Sequence, residues 1–88
     1  MRMTVIPADH WIRIDDAAHK LPVWQFNDDN IHAIQWQDGS GEIEYTGKPK
    51  PVNQSFTDQA ILEPYIAAFT EYSQSLLVDF TEPDNLLP

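Results

Sequence analysis

The stretch that decides the fold runs from residue 31 to residue 46 and reads IHAIQWQDGSGEIEYT. Residues 31–36 largely alternate apolar and polar side chains, although Ala33 and Ile34 are both apolar, and residues 42–46 alternate again. A period of two is typical of β-strands that bury one face. Between the two runs, Asp38-Gly39-Ser40-Gly41 supplies two glycines, which adopt positive φ angles without steric cost. The stretch therefore predicts a β-hairpin over residues 31–46.

The rest of the first half also has β character. Short β-prone runs occupy residues 4–6, 11–14 and 21–26, although Pro22 makes the start of the third an edge or a bend. Residues 27–30 read NDDN, which is the strongest turn cluster in the chain. Residues 1–47 are therefore predicted to form the β-rich part, and the Pro- and Lys-rich residues 48–55 to form a linker.

The second half has helical periodicity. Apolar residues from Ile61 to Leu76 follow the i, i+3, i+4 spacing of one helix face. Ser55 and Asp58 match the pattern that caps a helix start. Because proline is tolerated only in a first turn, Pro64 indicates that the regular helix begins near Leu62 or is kinked there. Residues 56–79 are assigned to this helical part, and residues 80–88 to an acidic, leucine-bearing tail.

Together these patterns predict one α+β domain over residues 1–88. It should contain a small antiparallel sheet of three to five short strands, with a C-terminal helix over about residues 60–78 packed against it. A chain of 88 residues leaves no room for a second domain.

Composition excludes several classes of function. Asp and Glu number 14 against 5 Lys and Arg, which gives a formal net charge of −9. Such a charge opposes binding to a phosphate backbone, so we expect no nucleic-acid partner. The absence of Cys removes disulfide scaffolds and thiol nucleophiles. The chain contains no apolar run long enough for a membrane span and no secretion signal, so we expect a cytoplasmic protein that does not contact membranes.

Two groups of side chains resemble metal-ligand sets. Asp15 and Asp16 lie near His19, and Asp28 and Asp29 lie near His32. Turn formation is the favoured interpretation, because Asp is a common turn residue and the spacing does not match a helical ligand pair. Glu42 and Glu44 share one strand face, where a solvated surface is the simpler explanation than a catalytic carboxylate pair. We therefore predict no enzyme activity, no metal and no cofactor, and a small hydrolase or metal protein is the least favoured class.

The three Trp residues are the most informative side chains. Packing in the core is the favoured interpretation, and the alternative is that one of them is exposed as an anchor at an interface. With other aromatic and apolar residues they form the set of candidate partner-binding positions: Trp11, Trp24, Trp36, Tyr45, Phe80, Leu86 and Leu87.

Residues 30–36 and 41–45 also carry a family resemblance, together with residues 6–9 and 62–65. These stretches resemble small proteins and terminal domains encoded near the tail-fibre genes of tailed bacteriophages and prophages. The likeness spans about residues 5–72, and the acidic tail over residues 79–88 departs from it. The resemblance implies a tail component or a tail-fibre assembly factor that contacts proteins and needs no cofactor.

The leading hypothesis is therefore a phage or prophage tail-associated interaction module. It would bind a tail or fibre polypeptide, in the cytoplasm of the bacterial host or as part of the virion, and self-association is a second kind of contact open to it. The alternative is an acidic inhibitor that imitates DNA and binds a host nucleic-acid-binding enzyme. Six acidic residues and no Lys or Arg in residues 51–88 motivate that alternative, although their spacing is sparse for a DNA mimic.

Overall fold

The computed structural model describes the backbone of residues 1–85 and the side chains of residues 1–77. Six antiparallel strands form one sheet in the order β3-β2-β1-β4-β5-β6, with one C-terminal helix. The strands are β1 (Arg2–Ile6), β2 (Trp11–Ile14), β3 (Ala17–Lys20), β4 (Ile31–Gln37), β5 (Ser40–Tyr45) and β6 (Gln54–Phe56). The predicted α+β class is confirmed, and the strand count is slightly above the predicted three to five.

The predicted hairpin is formed by β4 and β5, which pair in antiparallel register from Ile31–Tyr45 to Gln37–Ser40. Asp38 and Gly39 alone make the turn, with φ angles of 49° and 97°. A two-residue turn of this kind matches the twist of the strands it joins. The loop predicted between the two strands, residues 38–41, is too long by two residues, because Ser40 and Gly41 already pair with β4.

Two strands were not predicted. β3 forms because a two-residue turn at Asp15 and Asp16 folds the chain back onto β2, although Ala, His and Lys have little β preference. β6 begins in the last two residues of the predicted 48–55 linker and extends one residue beyond it. Conversely, residues 21–26 do not form the predicted strand. The Leu21 N–H donates to the His10 carbonyl at 2.8 Å, after which Pro22 has no N–H to continue the ladder.

The helix begins later than Ser55 predicts. A 3-10 turn over Gln59–Leu62 leads into α1, which covers Glu63–Asn85. Asp58 is the residue before the 3-10 turn, and its carboxylate accepts the Ala60 N–H at 2.9 Å. Ser55 belongs to β6, so the predicted Ser55 cap was wrong, whereas a helix start near Leu62 with Pro64 in its first turn is confirmed.

The backbone of α1 continues past the predicted end at residue 78 or 79. Three candidate partner-binding residues, Phe80, Leu86 and Leu87, lie outside the described side chains. The same holds for the predicted tail over residues 80–88, whose side chains the structure does not describe.

The core lies between α1 and one face of the sheet. Leu62 from the 3-10 turn and Val5, Ile12 and Ile34 from the sheet are at most 1% exposed. His19 joins the two layers, because its ring lies 4.9 Å from that of Phe69. The buried apolar cluster comprises Met3, Val5, Ile12, Leu21, Ile34, Trp36, Ile43, Phe56, Leu62, Tyr65 and Phe69.

The other face of the sheet is open and polar. Strand register places one row of side chains across all six strands: Ala18, Arg13, Thr4, Gln35, Glu42 and Ser55. Basic residues on this face lie on β1–β3, where they are Arg2, Arg13 and Lys20, and its acidic residues are Glu42 and Glu44 on β5. This open face therefore offers charged and polar contacts.

Candidate protein-interaction site

The segment from Leu21 to Asn30 crosses the helix without joining the sheet, and its side chains alternate in exposure. Trp24, Phe26 and Asp28 turn inward, whereas Val23, Gln25 and Asn27 are exposed. The inward rings pack on the helix, with the Phe26 centroid 4.3 Å from that of Tyr65 and 5.0 Å from that of Trp24. This 21–30 segment is therefore fixed to α1 by aromatic contacts.

Asp28 anchors the same segment with hydrogen bonds. Its side chain is 3% exposed and is the one buried polar or charged side chain in the described part of the chain. Its carboxylate accepts the Tyr65 hydroxyl at 2.8 Å and the Trp24 indole N–H at 3.1 Å. Its backbone carbonyl accepts the Ile31 N–H at 2.9 Å, which joins the segment to β4. Asp28 thus links the 21–30 segment, the helix and the sheet.

The buried Tyr65 hydroxyl makes the free energy of unfolding sensitive to pH in the alkaline range. Burial raises the pKa of Tyr65 well above its ordinary value, and the hydrogen bond and negative charge of Asp28 raise it further. In the unfolded chain Tyr ionises at a pKa of about 10. The raised pKa therefore contributes full stability below pH about 10, and this contribution is lost as the pH rises towards the pKa of the folded state.

We accordingly expect the free energy of unfolding to fall as the pH rises above about 10. Urea denaturation of the wild type and of Tyr65→Phe across that range measures the effect. The Phe variant should show a shallower fall, since it lacks the ionising hydroxyl. Equal slopes for the two proteins would show that Tyr65 is not the group responsible.

A groove follows the outer side of the 21–30 segment, where that segment meets the helix. It consists of two depressions of about 180 and 230 Å³. Val23, which is 61% exposed, lines both depressions. We name this the Val23 groove and define it by the residues that both depressions share: Val23, Gln25, Ala68 and Glu71.

The lining of the Val23 groove is largely apolar, and its charge is negative. Besides Val23, the two depressions are lined by apolar and aromatic residues of the segment and of α1: Leu21, Pro22, Phe26, Pro64, Ala67, Ala68 and Tyr72. Among the residues whose side chains are described, Glu71 is the single charged residue that lines it. An exposed apolar side chain held in a fixed position beside a carboxylate suits an apolar segment that carries a positive charge.

No protein-family model, curated protein or solved structure gives a match to this chain. Across the part of the chain that the structure describes, no helix combines the length and apolarity needed to cross a membrane.

The candidate partner-binding Trp and Tyr residues lie in different parts of the structure. Trp36 is 5% exposed and its ring lies 5.4 Å from that of Phe56, so it is a core residue. Trp24 is half-buried and holds the 21–30 segment in place. Trp11 is half-buried on the open face, and Tyr45 is half-buried with its hydroxyl bonded to Gln54. These four residues do not form one surface.

The two Asp and His groups that resemble metal-ligand sets are not assembled among the described residues, which contain no group of three such side chains placed for a cation. Asp15 has a positive φ of 52° in the β2–β3 turn, as the turn interpretation predicts. His19 lies on the helix side of the sheet and contacts Phe69 and Tyr72. Asp28 faces inward, whereas Asp29 is exposed.

Sequence reasoning missed Val23, Asp28 and Glu71. A usable signal existed for Asp28, because Trp24, Phe26 and Asp28 are spaced two apart and an extended chain places them on one side. Glu71 has no such signal, since its role depends on the 21–30 segment crossing the helix beside it.

Proposed function

We propose that this chain is a protein-interaction module of a phage or prophage tail, acting as a tail component or in tail-fibre assembly, without a catalytic step. The observation that carries the proposal is Val23, an apolar side chain 61% exposed on a segment fixed at both ends. The family resemblance of residues 5–72 supports the tail context. The protein would act in the host cytoplasm during assembly or as part of the virion.

The partner is proposed to be a tail-fibre polypeptide that inserts an apolar segment bearing Lys or Arg into the Val23 groove. Charge complementarity supports this choice, because Glu71 lines both depressions and residues 51–88 contain no Lys or Arg. The net charge of −9 would also steer a basic segment towards the chain.

The DNA-mimic alternative receives less support from the described surface. A mimic needs carboxylates arrayed densely along one face, since DNA carries about one charge per 1.7 Å of axis. On the open face Glu42 and Glu44 share the sheet with Arg2, Arg13 and Lys20. We therefore place the protein-interaction proposal first.

Co-expression tests the proposal. The tagged chain is expressed together with the products of its neighbouring genes, and the purified material is analysed by mass spectrometry. We expect the tail-fibre polypeptide to be retained in stoichiometric amount. Failure to retain any neighbouring gene product would refute the proposal.

The Val23→Asp variant tests the surface. It places a charge at the centre of the groove beside Glu71, so we expect the amount of captured partner to fall at least about tenfold. Val52→Asp is the matched control, because Val52 is 89% exposed and lies outside the groove. Both variants should fold normally, as exposed substitutions change stability by no more than about 0.5 kcal/mol. Equal capture by the two variants would place the contact elsewhere.

A further inference from the structure

A second concave site lies on the other side of the 21–30 segment. Its cavity of about 260 Å³ is formed where the β1–β2 connection, this segment and β4 meet. Asp28, Asp29, Trp24 and His10 line it, and none of its lining residues is Lys or Arg. The cavity therefore combines two carboxylates with an aromatic wall.

Asp28 is a buried carboxylate without a cation. Both of its oxygens accept hydrogen bonds from the Trp24 indole, and one also accepts the Tyr65 hydroxyl, but both donors are neutral. Among the described residues one ion pair forms, between the N-terminal amine and Asp38. Asp28 takes part in none. Lys50 lines an adjoining depression that shares His32 and Thr46 with the cavity, but it forms no ion pair with any residue whose side chain is described. Because a buried charge is costly unless it is paired, this carboxylate favours a positive ligand.

The wall of the cavity suits an organic cation. The Trp24 and His10 rings are stacked with centroids 5.3 Å apart and planes 6° from parallel, so the wall of the cavity is an indole–imidazole pair in which His10 covers part of one indole face. Indole is the aromatic group that attracts cations most strongly. A carboxylate and an indole around one concave space are complementary to an ammonium or guanidinium group on an apolar stem.

We infer that this cavity binds the side-chain cation of a Lys or Arg residue, with Asp28 and Asp29 as its counter-charges and the stacked Trp24 and His10 rings as its aromatic wall. In assigning that residue to the tail-fibre polypeptide, the inference rests on the proposed function. Binding of the cation itself does not depend on it, and the test below uses a small molecule.

The test measures binding of N-acetyl-lysine methylamide by NMR on the uniformly ¹⁵N-labelled full chain. The Trp24 indole N–H resonance reports directly on Asp28, because this group donates to the Asp28 carboxylate. We expect a saturable shift of that resonance. The neutral analogue N-acetyl-norleucine methylamide has a similar apolar stem and should produce no shift.

Variants assign the site. Asp28→Asn should abolish the shift, and Asp29→Asn should weaken binding at least threefold while leaving the fold intact, since Asp29 is exposed. Asp16→Asn removes the same charge at the β2–β3 turn, outside the cavity, and should bind the probe like the wild type. If Asp28→Asn does not fold, Asp29→Asn and the norleucine analogue still decide the question. No shift with the lysine probe, or an equal shift with norleucine, would overturn the inference while leaving fibre capture as a separate result.

Discussion

Replacing Asp28 with Ala is expected to lower the free energy of unfolding by about 3 kcal/mol. The substitution leaves the Trp24 indole N–H and the Tyr65 hydroxyl without their acceptor. A buried donor without a partner costs roughly 1–3 kcal/mol. Part of this cost is offset, because the variant also removes a buried charge that has no cation.

Urea denaturation of Asp28→Ala beside Asp29→Ala measures the effect. Asp29 is the adjacent carboxylate but is exposed, so its replacement should change stability by no more than about 0.5 kcal/mol. Asp28→Asn should fall between Asp28→Ala and the wild type, since its amide oxygen remains an acceptor. A loss at Asp28 no larger than that at Asp29 would mean that the carboxylate does not hold the 21–30 segment.

Replacing Gly41 with Ala is expected to lower the free energy of unfolding by about 3 kcal/mol, because β4 and β6 leave no space for a Cβ atom at this position of β5. A Cβ at Gly41 would lie 2.5 Å from Cζ of Phe56 and 2.7 Å from the backbone oxygen of Gln35. The Phe56 ring is 8% exposed and packs beside Trp36, and the Gln35 oxygen is part of β4. Neither neighbour can move without disturbing the core or the sheet.

A double-mutant comparison separates this steric cause from a general weakening of the strand. The Gly41→Ala substitution should cost less when Phe56 is already Leu, because the shorter side chain relieves the closest contact. Ser40→Ala, at the exposed neighbouring position, serves as the control and should be close to neutral. Equal costs of Gly41→Ala in the two backgrounds would contradict the steric explanation.

The hairpin was predictable because the residues that determine it are close together in the sequence. Alternation over residues 31–36 and 42–46 defines two strands, and Asp38-Gly39 defines the turn between them. The helix start next to Pro64 was predictable for the same reason, since proline is favoured in the first turn of a helix. By contrast, β3 and β6 have poor strand propensity and form because neighbouring strands offer them backbone partners.

The candidate site was harder to predict because it depends on contacts distant in sequence. Asp28 and Tyr65 are 37 residues apart, and nothing local to either predicts their hydrogen bond. The turn preference of residues 27–30 indicated a solvated loop, whereas the aromatic residues at positions 24 and 26 draw Asp28 into the interior. Likewise, the groove exists only because the 21–30 segment leaves the sheet at Pro22 and crosses α1.

The central claim is that partner binding occurs at the Val23 groove on a segment fixed by Asp28. Hydrogen–deuterium exchange of the chain, free and bound to the tail-fibre polypeptide retained in co-expression, tests it most directly. We expect slower exchange on binding in residues 21–26 and 64–75, with exchange in β1–β3 unchanged. Slower exchange confined to β1–β3, with residues 21–26 unaffected, would contradict binding at the Val23 groove.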